Sequence, residues 1–179
     1  SHFNPSNPYS SSKAAAEMIV NGYIHSYKLP IIIIRANNIF GTRQHPEKLL
    51  SGSCWSLIKK KKFQIHGTGK QKRSFLYIKD FCDALLKIIS KGKIHEIYNI
   101  GSNFEYKNID VFKIVAQENN LKYSDYITYT KDRPFNDFRY SLNFKKIMKL
   151  GWKPKTKIED KISEVNIWYK KNISRFKSR

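Results

Sequence analysis

Along this chain, segments whose hydrophobic positions repeat as in a helix alternate with short segments typical of strands. Residues 10–27 contain strong helix formers after an Asn7-Pro8 start signal, so a helix is predicted there. The β-branched run at 31–35 predicts a short parallel strand that is fully buried. The segment 36–48 is rich in Asn, Gly and Pro and is predicted to form a loop at the carboxyl end of that strand. Ligands bind at this edge in open α/β sheets.

The alternation continues through the rest of the chain. Helices are predicted at 49–61, 79–90, 109–118, 143–150 and 158–170, and strands at 63–66, 73–78, 96–100 and 126–130. The residues predicted to face inward from helix 79–90 are Phe81, Ala84, Leu85, Ile88 and Ile89. Helices that alternate with short strands favour an α/β architecture.

The composition indicates a folded domain with a strongly basic surface. The 179 residues are 40% hydrophobic and include 34 Lys and Arg against 14 Asp and Glu, a formal net charge of +20. Such a charge raises nucleic-acid binding as a hypothesis. Most of the excess is lysine spread along predicted polar helix faces, so we favour a solvated lysine-rich surface and predict no nucleic-acid partner. The same field would attract an anionic substrate.

Several other function classes have no support in the sequence. No apolar run approaches the roughly 18–20 residues of a membrane helix, so no membrane partner is predicted. The two cysteines, Cys54 and Cys82, lie in helical patterns that look buried, and they predict free thiols in a reducing cytoplasm. The five histidines are scattered and no Cys pair has zinc spacing, so no metal site is assigned.

A tyrosine and a lysine one helical turn apart, Tyr9 and Lys13, form the first candidate catalytic pair. Residues i and i+4 share one face of a helix. An ammonium beside a phenol favours the phenolate, which can exchange a proton with a substrate hydroxyl, and the ammonium can also hold ribose hydroxyls. About one or two Tyr-x-x-x-Lys matches arise by chance in such a sequence. The position of this pair, at the start of a helix that leads into a buried strand, distinguishes it from a chance match.

The predicted loop after the strand carries a second constellation. Asn37 and Asn38 are followed by Pro46-Glu47-Lys48-Leu49, and amides with a lysine suit a charged, polyhydroxylated ligand. A structural loop, in which asparagine tolerates left-handed backbone, is an equally good interpretation. The residues alone leave both open.

The glycines form neither of the common nucleotide-binding turns. There are eight glycines, and no spacing among them gives the dinucleotide pattern G-x-G-x-x-G. The segment around Gly67 and Gly69 is not a P-loop, because Gln71 stands where Ser or Thr is required. The chain is therefore expected to be the back part of an enzyme, beginning just before its catalytic helix.

Two arginines lie in a segment with little helix or strand character, Arg133 and Arg139. They could clamp a diphosphate through forked hydrogen bonds. The alternative is surface ion pairing with Asp132 and Asp137.

Together these segments resemble the nucleotide-sugar 4,6-dehydratases of the extended short-chain dehydrogenase/reductase family. The motifs that carry the resemblance follow the family's order along nearly the whole chain: Asn7-Pro8-Tyr9-Ser10 with Lys13, Arg35 with Asn38 and Gly41, Pro46-Glu47-Lys48-Leu49, His66-Gly67 with Gly69 and Arg73, Tyr98-Asn99-Ile100-Gly101, and Asp132-Arg133-Pro134 with Asp137, Arg139 and Tyr140. The tyrosine motif is shared with epimerases and decarboxylases, whereas the Pro-Glu-Lys-Leu and Asp-Arg-Pro motifs are more specific to dehydratases.

The resemblance implies an α/β fold, the back part of a Rossmann-type parallel sheet plus a smaller α/β substrate-binding domain. Residues 1–45 would belong to the NAD-binding domain and 46–179 mainly to the substrate-binding domain, with some segments returning to the sheet. The family's glycine-rich turn and its Asp-Glu acid/base pair would lie upstream, so these residues alone are predicted to be inactive. The apolar flank of 31–34 is then expected to be exposed.

The resemblance also implies an activity and a set of site residues. Tyr9, assisted by Lys13, would take the proton of the sugar 4-hydroxyl while hydride passes from C4 to NAD; water is then lost across C5–C6 and hydride returns to C6. The cofactor-binding residues would be Tyr9, Lys13 and Ile39. The substrate-binding residues would be Asn38, Lys48, Leu49, Arg73, Asn108, Arg133 and Asn136.

The substrate and partners follow from the same resemblance. Phe135 and Asn136 are similar to eukaryotic rhamnose-synthesis enzymes that use UDP-glucose, where dTDP-glucose enzymes carry Gly-His, so UDP-glucose is slightly favoured over dTDP-glucose. A homodimer is implied, with Ala16, Val20 and Tyr23 on the outer face of the first helix. The alternatives are an epimerase or decarboxylase of the same family and, more distantly, a basic nucleic-acid-binding module.

Overall fold

Helices and strands alternate along the chain within residues 4–134 and 137–176, which are the residues that the computed structural model describes. The α-helices are α1 (Pro8–Tyr27), α2 (Leu49–Ile58), α3 (Ile78–Lys91), α4 (Asn108–Glu118), α5 (Lys145–Met148) and α6 (Ile162–Lys171). The strands are β1 (Ile33–Ala36), β2 (Asn38–Phe40), β3 (Phe63–His66), β4 (Lys72–Tyr77), β5 (Ile97–Ile100), β6 (Glu105–Lys107), β7 (Ile127–Thr130) and β8 (Arg139–Tyr140).

The strands pair mainly in parallel. β1 lies beside β5, with Ala36 opposite Ile100 at their carboxyl ends. β2 runs parallel to β4, which also pairs antiparallel with β6 and parallel with β8. β3 runs parallel to β7. Parallel pairing through intervening helices confirms the predicted α/β class.

The first helix is fixed by its start signal and lies largely in solvent. The Asn7 side-chain oxygen caps α1 by accepting a hydrogen bond from the backbone N–H of Ser10. The Ser10 hydroxyl in turn accepts one from the backbone N–H of Asn7, so two backbone donors at the start of the helix are satisfied. Pro8 occupies the first turn, where its missing N–H costs nothing. None of the α1 residues is buried. The capping residues therefore set where the helix begins, while its packing is left to few contacts.

Two apolar clusters hold the remaining elements together. The larger one lies between α2, α4, α6 and the strands β2 to β4, and its fully buried side chains include Phe40, Leu50, Leu57, Phe112, Val115 and Tyr169. The second lies around β5, α3 and α5, with Leu76, Ile88, Ile100, Ile147 and Trp152. β4 contributes to both clusters, so it connects the β1–β5 pair to the three-helix layer.

The sequence located most elements but missed the shortest. Strand 63–66 is confirmed at both ends, and the other predicted helices and strands are present with shifted boundaries; the last helix begins at Ile162 rather than at 158. The loop prediction for 36–48 is wrong in part because β2 lies within it, and β6 and β8 were not predicted. Strands of two or three residues are too short to show an alternation. The division into domains at residue 45 stays a prediction.

Three burial predictions are wrong. Ile89 of α3 is 78% exposed, because the buried face of that helix is centred on Ala84 and Ile88. Cys82, on the same helix, is exposed, whereas Cys54 is buried as predicted; both are free thiols. The first strand is not fully buried, since Ile34 is 36% exposed and β1 pairs with β5 on one side only among the described residues. This agrees with the expectation of an exposed flank at residues 31–34.

Candidate functional site

The candidate catalytic pair stands on the first two turns of α1. Tyr9 is 74% exposed and Lys13, one turn further on, is also exposed. Their i, i+4 spacing places both side chains on one side of the helix, as the sequence predicts. Across residues 4–134 and 137–176, neither the Tyr9 hydroxyl nor the Lys13 ammonium has a hydrogen-bond or ion-pair partner. Both polar groups are thus available to a ligand.

The sheet anchors this helix through Arg35. The Arg35 guanidinium in β1 binds the Glu17 carboxylate on α1 at two points, one of them between Nε and Oε2 at 2.9 Å. The hydrogen bond to Glu17 raises the pKa of Arg35 above its ordinary value. Burial opposes this effect, and the charges of Glu17 and Tyr140 add to it. The ion pair therefore fixes α1 relative to the carboxyl end of β1.

The carboxyl ends of β1 and β5 meet at Asn37. Asn37 is buried, and its backbone N–H donates to the Ile100 carbonyl at 3.1 Å. Its side-chain oxygen occupies the space that a Cβ on Gly101 would fill, which accounts for glycine at the end of β5. The neighbouring Asn38 is exposed at the start of β2. Asn37 is thus structural through burial and hydrogen bonding rather than through the left-handed backbone that the structural interpretation gave it, whereas Asn38 is exposed.

Ile39 is held from the loop that follows it. Its side chain is half-buried on β2, and its carbonyl accepts a hydrogen bond from Gln44 Nε2 at 2.6 Å. The Gln44 carbonyl in turn accepts from the hydroxyl of Tyr169, a fully buried residue of α6. These contacts join the last helix to the strand that carries the predicted cofactor-binding residue.

Lys48 and Leu49 stand where the same loop enters α2. Lys48 precedes the first turn, is exposed and pairs with Glu47 at 2.8 Å between Nζ and Oε1. Leu49 opens the helix and packs partly buried against the larger apolar cluster. The lysine is therefore placed for a ligand contact, and the leucine has a packing role as well.

Arg73 and Arg133, two of the substrate-binding residues that the resemblance implies, are close enough for their charges to interact. Arg73, half-buried on β4, donates from Nη1 to the Lys72 carbonyl at 2.8 Å and to the Asp137 carbonyl at 2.7 Å. Burial lowers the pKa of the Arg73 guanidinium; the Asp137 charge opposes this effect, and the Arg133 charge lowers the pKa further. The Asp132 charge also raises the pKa of Arg73, so this guanidinium interacts with two carboxylates as well as with a second cation.

One of the two arginines in the segment predicted to lack helix and strand lies in a strand. Arg139 belongs to β8 and pairs with Glu105, at 2.8 Å between Nε and Oε1. Among the described residues it does not use Asp132 or Asp137, the partners that the alternative interpretation gave it. The Asp132 carboxylate accepts instead from the backbone N–H of Arg133 at 2.8 Å and from Gln71 Nε2 at 2.6 Å.

The remaining predicted substrate residues lie on both sides of β4 or outside the described residues. Asn108 is half-buried at the first position of α4, and its backbone N–H donates to the backbone carbonyl of Gln71 at 3.1 Å. Asn38 lies opposite Phe75 where β2 pairs with β4. Asn136 lies outside the described residues. β4 thus brings Arg73 together with Asn38, Asn108 and the segment that contains Arg133, whereas the helix that carries Tyr9 and Lys13 is bonded to β1 through the Glu17–Arg35 ion pair.

Two features were absent from the sequence interpretation. The Gln71–Asp132 bond joins residues 61 positions apart. The Tyr169–Gln44 bond joins residues 125 positions apart. Neither had a local signal, since a hydrogen bond across such a distance depends on the fold.

Among the described residues, no group of three or more His, Cys, Asp or Glu side chains could hold a metal ion. Within the same residues, no helix is long and apolar enough to cross a membrane.

Comparison with known proteins places these observations in a family. Residues 1–165 match the family model described as GDP-mannose 4,6 dehydratase. The chain is 42% identical over 202 residues to a dTDP-D-glucose 4,6-dehydratase of Dictyostelium discoideum, which covers 94% of this chain and 46% of that protein. It is 40% identical over 168 residues to a trifunctional UDP-glucose 4,6-dehydratase, UDP-4-keto-6-deoxy-D-glucose 3,5-epimerase and UDP-4-keto-L-rhamnose-reductase of Arabidopsis thaliana, covering 94% of this chain and 25% of that protein.

A solved structure shows the same fold. The crystal structure of dTDP-glucose 4,6-dehydratase from Bacillus anthracis in complex with NAD is 36% identical and has a TM-score of 0.87, with 97% of this chain and 55% of that chain covered. The chain spans about half the length of the curated dTDP-D-glucose 4,6-dehydratases of Dictyostelium discoideum and Mus musculus, 46% and 50% respectively.

Proposed function

Because this chain belongs to the GDP-mannose 4,6 dehydratase family, we propose that the whole protein is an NAD-dependent nucleotide-sugar 4,6-dehydratase, a hydro-lyase. One observation carries the proposal. An exposed Tyr9–Lys13 pair without internal partners among the described residues opens a helix that Glu17 and Arg35 fix to the sheet. The Arg73–Arg133 pair, gathered at β4, supplies the second half of a nucleotide-sugar site.

The residues of α1 fit the ribose of the cofactor. Ribose hydroxyls need a donor and an acceptor, which the Lys13 ammonium and the Tyr9 hydroxyl provide from one side of the helix. Ile39 offers a half-buried apolar side chain against which a nicotinamide ring could lie. Bound NAD supplies the acceptor for the hydride of sugar C4 and afterwards donates a hydride to C6.

In the proposed reaction, Tyr9 exchanges the proton of the sugar 4-hydroxyl while Lys13 holds the phenol oxygen in place. The resulting 4-ketone makes the hydrogen on C5 acidic, so that this hydrogen and the C6 hydroxyl leave together as water. Elimination leaves a 4-keto-5,6-ene sugar, and addition of a hydride to C6 and of a proton to C5, equivalent to the one lost from the 4-hydroxyl, would give the 4-keto-6-deoxy sugar. We also propose that these 179 residues alone turn over no substrate, since no spacing of their eight glycines forms a dinucleotide turn.

The substrate would be held mainly by its charged end. Arg73 and Arg133 would bind the diphosphate, because two guanidiniums match two phosphates. Asn38, Lys48, Leu49, Asn108 and Asn136 would contact the rest of the nucleotide sugar. We favour UDP-glucose over dTDP-glucose because the Phe135-Asn136 pair resembles the enzymes that use UDP-glucose. We place the activity in the synthesis of rhamnose or a related deoxysugar.

Mass spectrometry of the product tests the reaction. The whole protein should convert UDP-glucose, or dTDP-glucose, into a product lighter by one water. Tyr9→Phe should lower kcat by about 100- to 10,000-fold, the usual contribution of general acid–base catalysis. Tyr27→Phe, an exposed tyrosine on the same helix, serves as the matched control and should leave kcat unchanged. A product of unchanged mass would instead identify an epimerase, and loss of carbon dioxide from a uronic-acid sugar a decarboxylase.

We further propose a cytoplasmic homodimer. Its support is the apolar surface of α1, where Met18, Ile19, Tyr23 and Tyr27 are exposed. Ala16, Val20 and Tyr23 would lie in the contact between copies. Sedimentation equilibrium of the whole protein should give twice the monomer mass, and Tyr23→Arg should shift it to the monomer. Steeply salt-dependent DNA binding with no effect of nucleotide sugar would instead support the nucleic-acid-binding module.

A further inference from the structure

A buried glutamine stands beside the arginine pair, and its side chain makes one directed bond. Gln71 is 7% exposed, and its Nε2 donates to Asp132 Oδ2 at 2.6 Å. A carboxylate oxygen can only accept, so the amide nitrogen must face Asp132 and the orientation of the amide is settled by chemistry. The Gln71 Oε1 atom is buried and has no hydrogen-bond partner among residues 4–134 and 137–176. The side chain is therefore committed to Asp132.

Asp132 passes this constraint to Arg133. Its Oδ1 accepts from the Arg133 backbone N–H at 2.8 Å, so one carboxylate bridges the buried glutamine and the arginine backbone. The turn after β3 leaves room for this carboxylate, because Gly67 has φ +60° and a Cβ on it would lie 2.6 Å from Asp132 Oδ2. The fit indicates that the chain is built around the Asp132 position.

β4 holds the other end of the same segment. The Lys72 amide donates to the Phe138 carbonyl at 2.7 Å, and Arg73 Nη1 donates to the Asp137 carbonyl at 2.7 Å. The Gln71 backbone carbonyl accepts from the backbone N–H of Asn108, the first residue of α4. Residues 71–73 therefore hold the Arg133 segment on both sides of Arg133 and also hold the start of α4.

The two guanidiniums gain from being held. A pair that is fixed before binding loses less side-chain and loop freedom when the anion arrives. A diphosphate, with a negative charge on each phosphate, is the anion that two such cations match.

We propose that Gln71 is a positioning residue for the diphosphate-binding arginines, acting through Asp132 on the backbone of Arg133. The inference rests on the proposed function, since it assigns a diphosphate to the Arg73–Arg133 pair. It predicts that loss of the Gln71 side-chain bond weakens binding of nucleoside diphosphates more than it changes the chemical step.

Three variants of the whole protein isolate this bond. Gln71→Met removes the donor at similar volume. Gln71→Glu faces one carboxylate with another, and Gln71→Glu combined with Asp132→Asn restores a donor and an acceptor with the direction of the bond reversed. Gln64→Met is the matched control, an exposed glutamine on β3, the strand that precedes Gln71 in the sequence. The readouts are the melting temperature, KM and kcat for the nucleotide sugar, and calorimetric affinities for UDP and dTDP compared with UMP and dTMP.

Gln71→Met and Gln71→Glu should raise KM and weaken the diphosphate nucleotide by about tenfold, the scale of one hydrogen bond to a charged group. Affinity for the monophosphate and kcat should change by less than about threefold, as for a group that acts on binding alone. The double variant should bring KM most of the way back from the raised value of Gln71→Glu to the wild-type value, because the two sites are coupled. Gln64→Met should match the wild type.

Two results would overturn the inference separately from the proposed function. If the wild type dehydrates a nucleotide sugar but Gln71→Met and Gln64→Met have the same KM and diphosphate affinity, Gln71 does not position the arginines. If the double variant is no better than Gln71→Glu, the bond to Asp132 is not the route. A wild type that binds neither UDP nor dTDP and dehydrates neither sugar would overturn both the inference and the proposed function.

Discussion

Glu17 in the middle of α1 and Arg35 in β1 are joined at two points, with Arg35 Nε donating to Glu17 Oε2 at 2.9 Å and Nη2 bonded to Oε1. The Glu17 side chain is only 12% exposed, so the carboxylate of this ion pair is largely shielded from water. None of the α1 residues is buried. The position of Tyr9 and Lys13 relative to the sheet therefore depends strongly on this one ion pair.

Removing this ion pair should loosen α1. Glu17→Gln is expected to lower the free energy of unfolding by about 1–3 kcal/mol, the range for a hydrogen bond to a charged group. It should also lower kcat of the whole protein, because catalytic groups that are displaced by a fraction of an ångström lose rate. Urea denaturation and initial rates measure the two effects.

The control for this prediction is an exposed pair of similar chemistry. Asp110 and Lys113 on α4 are 3.7 Å apart and both nearly half-exposed. Asp110→Asn should change stability by less than about 1 kcal/mol, as exposed pairs do. Equal effects of the two substitutions would show that Arg35 does not anchor α1.

A second prediction concerns alkaline pH. Burial, together with the hydrogen bond from the Tyr77 hydroxyl to Glu164 Oε1 at 3.0 Å, raises the pKa of Tyr77 to about 12. The folded state then keeps a proton that the unfolded state loses from about pH 10 upward. This contribution to stability is complete below pH 10 and is lost between about pH 10 and 12, at roughly 1.4 kcal/mol per pH unit.

Urea denaturation of wild type and Tyr77→Phe between pH 9 and 12 tests this loss. All other side chains are the same in both proteins, so the difference between their slopes isolates Tyr77. The wild type should lose stability more steeply with pH than the variant. Tyr129→Phe, an exposed tyrosine on β7, should keep the wild-type slope. Identical slopes for wild type and Tyr77→Phe would contradict the prediction.

A third prediction separates backbone strain from a steric clash at two glycines. Gly67 and Gly151 both have positive φ, at +60° and +83°. A Cβ added at Gly67 would lie 2.6 Å from the Asp132 carboxylate, whereas one added at Gly151 would meet no atom within 4 Å. Gly151→Ala should cost about 1–2 kcal/mol for the left-handed backbone alone. Gly67→Ala should cost more and also raise KM for the nucleotide sugar, because it displaces Asp132.

Thermal unfolding and initial-rate kinetics of the two glycine variants measure these effects. Equal stability and equal KM for Gly67→Ala and Gly151→Ala would argue against the clash.

A fourth prediction tests the larger apolar cluster. Phe112 is fully buried on α4 and stacks on Phe63 with ring centroids 5.5 Å apart, whereas Phe138 is 65% exposed. Phe112→Ala should destabilise the chain by about 3–5 kcal/mol, since it leaves a cavity that the helices cannot fill. Phe138→Ala should change stability by less than about 0.5 kcal/mol. Thermal unfolding followed by circular dichroism would compare them.

Much of the fold was readable from local patterns. The Asn7-Pro8 start signal predicted α1, and its capping hydrogen bonds are present in the structure. Strand 63–66 was located at both ends, because Phe63-Gln64-Ile65-His66 alternates apolar and polar residues. Ile89 was misplaced since a helical repeat with several apolar residues does not say which stripe meets the core.

The candidate site divides in the same way. The Tyr9–Lys13 pair follows from spacing on one helix, so the sequence determined its geometry before any packing was known. Four residues whose placement depends on distant strands, Asn38, Arg73, Asn108 and Arg133, could be named from the resemblance, but only the fold shows that β4 gathers them.

The tertiary structure alone decided the polar contacts that hold this arrangement together. Gln71 meets Asp132 and Glu17 meets Arg35 across 61 and 18 positions of sequence. Local order comes from backbone preferences and side-chain periodicity, which act over a few residues. Contacts such as these arise only when separate elements pack, because hydrogen bonds need partners at fixed distance and angle, and no local pattern specifies those.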